Sequence, residues 1–266
     1  MTSIAVTIAG SDSGGGAGIQ ADLKTFGALG VYGASVITAL TAQNTKGVTG
    51  IHDVPAEFIT AQIDAVFSDL AVNAVKIGML SQVPAIHAVA AGLARHSTKN
   101  IVLDPVMVAT SGDRLLATDA VDALRRELIP RAIVVTPNLH EAAALTDAPL
   151  AQSERDMEAQ ARQILALGPR YVLIKGGHGT TDESVDLLVG EGNVVRLTAR
   201  RIDTKNTHGT GCTLSSAIAA GLAKGVDLVT AAHEAKTYVT EAIAAADGLK
   251  VGQGHGPLSH FYRSWK

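Results

Sequence analysis

The amino-acid sequence predicts a three-layer α/β/α sandwich whose central sheet is mostly parallel and carries an antiparallel hairpin at one edge. Short apolar runs without polar alternation recur along the 266 residues, as in strands that are buried on both faces. Ala-rich helical stretches separate these runs, which is typical of a parallel sheet covered by helices. Aromatic residues make up only 3% of the chain. Ala, Val, Leu and Ile must therefore fill the core, which favours many short βα units over a β-sandwich.

The first elements alternate between strand and helix. Ser3–Ala9 is predicted as a strand, followed by a glycine-rich loop and a helix over Gly18–Leu29. Ala34–Ala42 is predicted as the second strand. A helix is expected from Pro55 to about Leu70, because proline is tolerated in the first helical turn.

The rest of the chain continues the pattern. Further strands are predicted at Ala74–Ile77, Ile101–Asp104, Ala132–Thr136 and Tyr171–Lys175. Further helices are predicted at Pro84–Arg95, Thr118–Leu128, Glu141–Leu145, Ser153–Leu167, Gly211–Ala223 and Leu228–Ala246. Ser184–Val189 and Val194–Ala199 flank a Glu-Gly turn, which predicts the edge hairpin. Because no low-complexity linker or repeat interrupts the pattern, residues 1–266 are predicted to form one domain.

Composition and charge limit the partners and the compartment. The net charge is -3 and no basic run stands out, so a nucleic-acid partner is not expected. The lone Cys212 has no cysteine to pair with, which suits a reducing compartment. Thr25–Thr45 is uncharged, but its glycines and the pair Gln43–Asn44 favour a helix end and a strand over a membrane span. A cytoplasmic protein without signal peptide or membrane partner is predicted.

The strongest local signal is the glycine-rich segment NTHGTGCTLSS at residues 206–216. Gly209 and Gly211 allow close approach of a ligand, and the first free N–H groups of the following helix then form an anion hole. The alternative is a loop that needs its glycines only to turn. Neither a Walker A motif nor G-x-G-x-x-G occurs in the chain, so a phosphate site here is of another type.

Cys212 lies at the start of that predicted helix. A helix N-terminus is expected to lower the pKa of its thiol, and His208 to lower it further. Such a thiol is a base for a substrate hydroxyl or a covalent nucleophile. The remaining alternative is a small buried apolar residue.

Polar residues after other predicted strands are further candidates, because ligands of parallel sheets bind beyond the carboxyl ends of the strands. Asn138 and Glu141 share a first helical turn, where they form an Mg²⁺ site or a capping box. Lys175 neutralises a phosphate or extends to solvent, and Asp104 is a cap or a metal-shell carboxylate. Histidine spacing excludes the usual zinc motifs.

The glycine-rich loop GSDSGGGAG at residues 10–18 offers backbone without side chains, suited to closing over a flat small molecule. A flexible turn has the same composition. In that case Asp12 is only a loop residue and Asp22 only a solvated helix residue.

Together these residues resemble the hydroxymethylpyrimidine and phosphohydroxymethylpyrimidine kinases of thiamine biosynthesis, members of the ribokinase-like superfamily. The resemblance covers nearly the whole chain. It is carried by AGSDSGGGAGIQADLKTF (9–26), VITALTAQNT (36–45), KIGML (76–80), TPNLHEAAAL (136–145), IKGGH (174–178) and TKNTHGTGCT (204–213). The last motif is the most specific, because most ribokinase-like sugar kinases carry Asp where Cys212 stands.

The resemblance implies a ribokinase-like fold and an enzyme that phosphorylates 4-amino-5-hydroxymethyl-2-methylpyrimidine with ATP, and then its monophosphate to the diphosphate. Gln43 would hydrogen-bond the pyrimidine, although some relatives have Glu there, and the pocket would be lined by Gly10, Ala17, Met79 and Val106. Catalysis would fall to Cys212 as base and to the N–H groups of Gly209, Thr210 and Gly211. Mg²⁺ would be organised by Asn138, Glu141 and Asp104, and the nucleotide contacted by Lys175 and Lys236. A homodimer is expected, with a mobile flap at Thr110–Leu116.

Three alternatives stay open at this point. The first is a pyridoxal or pyridoxine kinase of vitamin B6 salvage. The second is an enzyme in which Cys212 forms an acyl intermediate, although no spaced base and orienting residue accompany it. The third is a non-catalytic binding or regulatory protein, which the anion hole and Cys212 argue against.

Overall fold

A computed structural model describes residues 1–107, 118–177 and 182–265, so the expected flap at Thr110–Leu116 lies outside the described residues. The strands join one nine-stranded sheet in the order β3-β2-β1-β4-β5-β6-β7-β8-β9. The strands are β1 Ile4–Asp12, β2 Tyr32–Asn44, β3 Gly47–Asp53, β4 Ala74–Ile77, β5 Ile101–Leu103, β6 Val134–Val135, β7 Tyr171–Lys175, β8 Glu183–Gly190 and β9 Asn193–Arg200. The shared sheet is consistent with one domain over 1–266, which stays a prediction.

The middle of the sheet is parallel and both of its edges are antiparallel. Strands β2, β1, β4, β5, β6 and β7 all run in the same direction. The predicted hairpin at one edge is confirmed, because β8 is antiparallel to both β7 and β9. A second antiparallel strand, β3, pairs with β2 at the other edge and was not predicted. Its sequence GVTGIHD contains two glycines and is mostly exposed, so it lacks the apolar pattern of a buried strand.

Helices cover both faces of the sheet, as predicted for three layers. The helices are α1 Gly18–Ala28, α2 Ala56–Asp69, α3 Val83–Arg95, α4 Thr118–Glu127, α5 Leu139–Thr146, α6 Glu154–Leu165, α7 Thr210–Ala223 and α8 Leu228–Ala244. Short 3₁₀ segments follow α4 and α8 at Ile129–Arg131 and Ala246–Gly248. Helices α2 to α6 pack in one apolar cluster against one face, and α1, α7 and α8 pack against the other.

Helix α7 is the central element of the second layer. Its residues are buried from Thr213 to Ala223, because it packs between α1, α8 and the sheet. Small residues make this close packing possible: a Cβ on Gly221 would be 2.8 Å from the Cβ of Ala231 on α8. The N-terminus of α7 is thereby held at the carboxyl edge of the parallel strands.

Within the described residues, the helices are too short or too polar to span a bilayer.

Candidate active site

One cleft of about 750 Å³ opens where the parallel strands end, and the structure brings every predicted site residue to its wall. These are Gly10, Ala17, Gln43, Met79, Asp104, Val106, Asn138, Glu141, Lys175, Gly209, Thr210, Gly211, Cys212 and Lys236. They come from the last residues of β1, β2 and β7, from the loops after β1, β4, β5 and β6, from the first turns of α5 and α7, and from α8. The topology therefore assembles in space what the sequence distributes over more than two hundred residues.

The loop after β1 is folded around the carboxylate of Asp12. The amides of Gly14, Gly16 and Ala17 donate to that carboxylate at 2.8–3.0 Å, and His208 Nε2 lies 2.9 Å from Oδ2. Burial would raise the pKa of Asp12, but the hydrogen bonds from His208 and the amides outweigh it and the pKa lies below its ordinary value. The interpretation of Asp12 as a mere loop residue is wrong: it shapes the glycine-rich loop.

The glycine loop meets the N-terminus of α7. Gly209 caps the helix with φ +84°, and a Cβ there would lie 2.0 Å from the carbonyl oxygen of Gly16. Only glycine fits a positive φ at such a distance. The Thr210 N–H group donates a hydrogen bond to the Thr207 carbonyl oxygen at 3.2 Å. The amides of Gly211 and Cys212, in the first turn of α7, have no acceptor within the helix. These two amides are therefore candidate donors for the predicted anion hole.

The prediction that the helix terminus and His208 lower the pKa of Cys212 is wrong. Part of Cys212 faces the cleft, but burial of its thiol raises the pKa to about 11, against a smaller opposing effect of the Lys76 ammonium. The hydrogen-bond partner of His208 is Asp12. Desolvation outweighs the helix terminus here, and a sequence does not report how deeply a thiol will be buried.

A buried ion pair lies behind Cys212 and was missed as a site feature. Lys76 on β4 is fully buried, and its Nζ is 2.9 Å from Asp22 Oδ2 on α1. Asp22 also accepts hydrogen bonds from Thr7 and Ser216, both at 2.6 Å. Burial alone would lower the pKa of Lys76, but Asp22 and then Cys212 raise it well above its usual range. The interpretation of Asp22 as a solvated helix residue is therefore wrong.

A second charged cluster joins the ends of β5, β6 and β7. Lys175 Nζ is 2.8 Å from Asp104 Oδ1 and 3.8 Å from Glu141 Oε2. Asn138 and Glu141 form a reciprocal capping box at the start of α5, with bonds of 2.9 and 2.8 Å. Burial is the main reason that the pKa of Glu141 is raised to about 7. The Lys175 ammonium lowers this pKa and the Asp104 carboxylate raises it, both by less than burial does. Two buried carboxylates thus share one ammonium group.

This donor set fits Mg²⁺ with a partial water shell. Oxygen ligands are what the ion prefers, and two carboxylates against one lysine leave negative charge for a cation to neutralise. Within the described ranges, no group of three or more His, Cys, Asp or Glu side chains forms a metal site. An ion here would therefore rely on Asp104, Glu141 and Asn138, on water and on phosphate oxygens.

Lys236 lies at the other end of the cleft, on α8. Its Nζ donates to Asp186 Oδ2 at 2.8 Å and to Ser184 Oγ at 3.1 Å. Asp186 is itself held by the Gly176 amide at 2.9 Å. Ile202, Val239 and Ile243 line the cleft nearby and give this end an apolar wall. Sequence reasoning missed these three residues, because apolar side chains on a helix and at a strand end look like ordinary core.

The family model described as phosphomethylpyrimidine kinase matches residues 12–259. This chain belongs to that family. A hydroxymethylpyrimidine/phosphomethylpyrimidine kinase from Rhizobium meliloti is 62% identical over 100% of both chains. One from Escherichia coli is 52% identical over 98% of both.

Solved structures confirm the ribokinase-like fold class expected for a phosphomethylpyrimidine kinase. A pyridoxal kinase from Bacillus subtilis, solved as an ADP complex, matches with a TM-score of 0.92 and 38% identity over 100% of both chains. A phosphomethylpyrimidine kinase from Clostridium difficile matches with a TM-score of 0.80 and 46% identity, covering 90% of this chain and 99% of that one. Both kinase types share this fold, so the family match and the sequence identities favour the pyrimidine kinase over the pyridoxal kinase alternative.

Proposed function

We propose that this protein transfers the γ-phosphoryl group of ATP to 4-amino-5-hydroxymethyl-2-methylpyrimidine, and in a second reaction to the resulting monophosphate, as a step of thiamine biosynthesis. One observation carries the proposal: the N-terminus of α7 lies between the glycine loop and a lysine. A Cβ on Gly209 would lie 2.0 Å from Gly16, and one on Gly211 would lie 3.1 Å from Lys175 Nζ. An anion at this helix end would therefore be near both a substrate loop and a phosphate-neutralising cation.

The pyrimidine would occupy the end of the cleft next to Gln43. Gly10, Ala17, Met79 and Val106 also line the cleft and would form this end of it. A Cβ on Gly10 would lie 2.5 Å from Met79 Cε, so the missing side chain leaves room for that methionine beside the pocket. A flat ring between an apolar wall and a bare backbone loop would have its hydrogen-bonding edge turned toward the Gln43 amide.

The phosphoryl group would pass through the anion hole. Phosphoryl transfer depends more on in-line positioning and charge neutralisation than on covalent chemistry. Of the three amides expected to cradle the transferring group, that of Thr210 already donates to Thr207. The amides of Gly209 and Gly211 would therefore do so, with the Cys212 amide of the same turn as a further donor. Lys175 would neutralise the γ-phosphoryl group, and Lys236 would contact the nucleotide phosphates.

Mg²⁺ would be held at the Asp104, Glu141 and Asn138 cluster described above. When bound it would neutralise charge on the ATP phosphates as that charge develops. The shared ammonium of Lys175 keeps the two carboxylates in place, and the capping box fixes the side chain of Asn138.

Cys212 would accept the proton of the hydroxymethyl group in the first reaction. As the bond from the substrate oxygen to phosphorus forms and the bond to the ADP oxygen breaks, the hydroxyl proton would pass to the thiolate sulfur. Burial keeps the thiol protonated at neutral pH, so only its minor thiolate form could do this. In the second reaction the nucleophile is already a phosphate oxygen, and a base is less important.

The proposal also includes a cytoplasmic location and a homodimer. A single cysteine suits the reducing cytoplasm. We expect a homodimer, and the exposed Leu40, Ile51 and Phe58 near the β2–β3 edge give a second copy apolar surface to cover. Light scattering during gel filtration would test it: a mass of one chain at micromolar concentration would contradict the dimer.

Product analysis tests the activity itself. With excess Mg-ATP, we expect two ADP for each pyrimidine consumed and the successive appearance of a monophosphate and a diphosphate. A reaction that stops at the monophosphate, or that produces ADP without a phosphorylated pyrimidine, would contradict the proposed function.

A further inference from the structure

Three side chains, from the ends of β1 and β2 and from the loop before α7, meet at the substrate end of the cleft. His208 Nε2 is 2.9 Å from Asp12 Oδ2 and 3.4 Å from the Gln43 amide nitrogen. The other end of that amide, Oε1, lies 3.0 Å from Thr41 Oγ1. Asp12 and His208 are both buried, so their hydrogen bonds are not exchanged freely with water.

The protonation of His208 at Nε2 follows from its partner. Asp12 is held as a carboxylate, which only accepts hydrogen bonds, by the loop amides that donate to it. A neutral nitrogen lone pair directed at this carboxylate would be repelled, so His208 Nε2 carries a hydrogen. That one hydrogen points mainly at Asp12, and its second neighbour, at 3.4 Å, is the Gln43 NH₂ group, which is also a donor. An amide oxygen in that place would instead share the hydrogen as the weaker branch of a three-centre bond.

The hydrogen bonds of Thr41 independently indicate that the Gln43 amide oxygen and nitrogen should exchange places. Its hydroxyl has one hydrogen, and the Ser11 carbonyl oxygen accepts it at 2.8 Å. Toward Gln43 the hydroxyl oxygen is left as an acceptor, so it needs the amide nitrogen rather than the amide oxygen. A half-turn of the Gln43 amide satisfies both neighbours at once, and such an orientation is assigned from the hydrogen-bond network.

We propose that His208 is a positioning residue: held by Asp12, it fixes the Gln43 amide with its oxygen toward the imidazole and its nitrogen toward Thr41. One lone pair and one N–H of the amide then remain for the ligand, side by side. This edge is complementary to a ring nitrogen next to an exocyclic amino group, the edge that a 4-aminopyrimidine presents. The inference rests on the proposed contact between Gln43 and the pyrimidine.

The surroundings of His208 hold its ring in place. Its own amide donates to the Gly256 carbonyl at 3.1 Å, so the C-terminal segment anchors the backbone. A Cβ on Gly16 would lie 2.5 Å from His208 Cδ2, which shows how closely the glycine loop packs against the ring. The imidazole is thus held against the glycine-rich loop, on a backbone that the C-terminal segment anchors.

A substitution series with KM as the readout tests the proposal. His208→Met removes the N–H but keeps a similar volume, and His208→Gln retains an N–H donor. We expect His208→Met to raise the KM for the pyrimidine severalfold, up to about tenfold, because a shared hydrogen bond contributes at most as much as a full one, with the KM for ATP unchanged. His208→Gln should restore most of the pyrimidine KM. The exposed His255, changed to Met, is the matched control and should alter neither KM.

The Gln43→Ala background separates the possible failures. If His208 acts through Gln43, His208→Met raises the pyrimidine KM less than twofold further in Gln43→Ala. An additional rise there as large as in the wild-type background would overturn the inference. An unchanged KM in Gln43→Ala alone would instead overturn the proposed Gln43 contact, and the inference with it.

Thr41→Val provides a second arm should His208→Met fail to fold. This nearly isosteric change removes the acceptor for the amide nitrogen. A pyrimidine KM that rises severalfold, but does not rise in Gln43→Ala, supports the orientation. A KM unchanged by Thr41→Val overturns it.

Discussion

The Cys212 thiol lies in a part-buried position that raises its pKa to about 11, and this determines how the residue can act. We expect Cys212→Ala to slow the first phosphorylation by a factor of about 10² to 10⁴, the usual contribution of a general base. The second phosphorylation, whose nucleophile is already ionised, should lose much less. Single-turnover rates for the two substrates measure both effects in one variant, and equal losses would contradict a base role.

The pH dependence of the first phosphorylation rate in the wild-type enzyme is a second test of the base role of Cys212. Below the pKa of the thiol, the thiolate fraction rises about tenfold per pH unit. The first phosphorylation should therefore accelerate with pH between 7 and 9, and Cys212→Ala should remove this slope. A wild-type rate that is flat over this range would exclude the thiolate as base.

Lys236 combines a proposed nucleotide contact with a structural ion pair. Removing it as Lys236→Met would leave the buried Asp186 without its cation, which costs about 3–5 kcal/mol of unfolding free energy. The KM for ATP should rise about tenfold to a hundredfold. The double variant Lys236→Met with Asp186→Asn should recover stability in urea unfolding but not the affinity for ATP. Recovery of both would show that Lys236 has a structural role only.

At the scale of single residues, the sequence predicted which residues line the cleft, but it did not predict which side chains contact one another. The position of Cys212 after a glycine-rich turn marked it as a site residue from sequence alone. The partners of Asp12 and Lys76 were hidden, because His208 and Asp22 lie 196 and 54 positions away along the chain. Burial reversed the expected direction of the Cys212 pKa, and burial depends on packing that no local motif encodes.

At the level of single elements, α7 depends on the glycine that caps it. Gly209→Ala should combine a strained positive φ with a collision against the Gly16 carbonyl, and so displace the anion hole. We expect a loss of at least about 10² in the phosphorylation rate, comparable to removing an oxyanion donor. The measurement is the single-turnover rate with saturating substrates.

Gly225 is the matched control for that substitution. It has φ +81°, but nothing lies within 4 Å of a Cβ built there. Gly225→Ala should therefore cost about 1 kcal/mol of stability from backbone strain alone and leave the rate unchanged. Equal loss of rate in both variants would show that strain, rather than the contact with Gly16, is responsible.

The predictability of an element depended on its burial. Strand β4 was found because all of its residues except Lys76 are apolar, and helix α5 because it begins with a capping box. Strand β3 was missed, since an exposed edge strand needs no apolar alternation and its ladder with β2 supplies the pairing. Strand β1 extends to Asp12, beyond the predicted Ala9, because Ser11 and Asp12 pair with β2 past a register shift.

The C-terminal segment packs on the layer of α1, α7 and α8 and makes the stability of the molecule depend on pH. His260 is buried, and its Nε2 lies 3.0 Å from Thr213 Oγ1 on α7. Burial lowers the pKa of His260 from 6.5 to about 4. Between these values the unfolded chain binds a proton that the folded protein excludes. Neutral His260 therefore has its full stabilising effect above pH 6.5. As the pH falls toward 4, the free energy of unfolding decreases by up to about 3 kcal/mol.

Urea unfolding at pH 4.5, 5.5 and 7 measures this dependence. His260→Gln keeps an N–H donor for Thr213 but does not titrate, so its stability should fall less steeply with decreasing pH than that of the wild type. An equally steep fall in the variant would assign the pH dependence to other groups.

The architecture as a whole was the most predictable level. Parallel strands separated by helices imply that polar residues after the strands meet at one edge, and the cleft contains all of those proposed. The contribution of the C-terminal segment was not predictable. Its polar sequence looks like a tail, yet Gly256 and His260 form hydrogen bonds with His208 in the loop before α7 and with Thr213 on α7.

The most direct test of the central claim, that one cleft carries out both pyrimidine phosphorylations, is a single-turnover experiment with Mg-ATP. Hydroxymethylpyrimidine, its monophosphate and pyridoxal are offered separately to the same enzyme. We predict that both pyrimidines are phosphorylated and that pyridoxal reacts much more slowly. A preference for pyridoxal would contradict the pyrimidine kinase assignment, while leaving the fold and the anion hole as described.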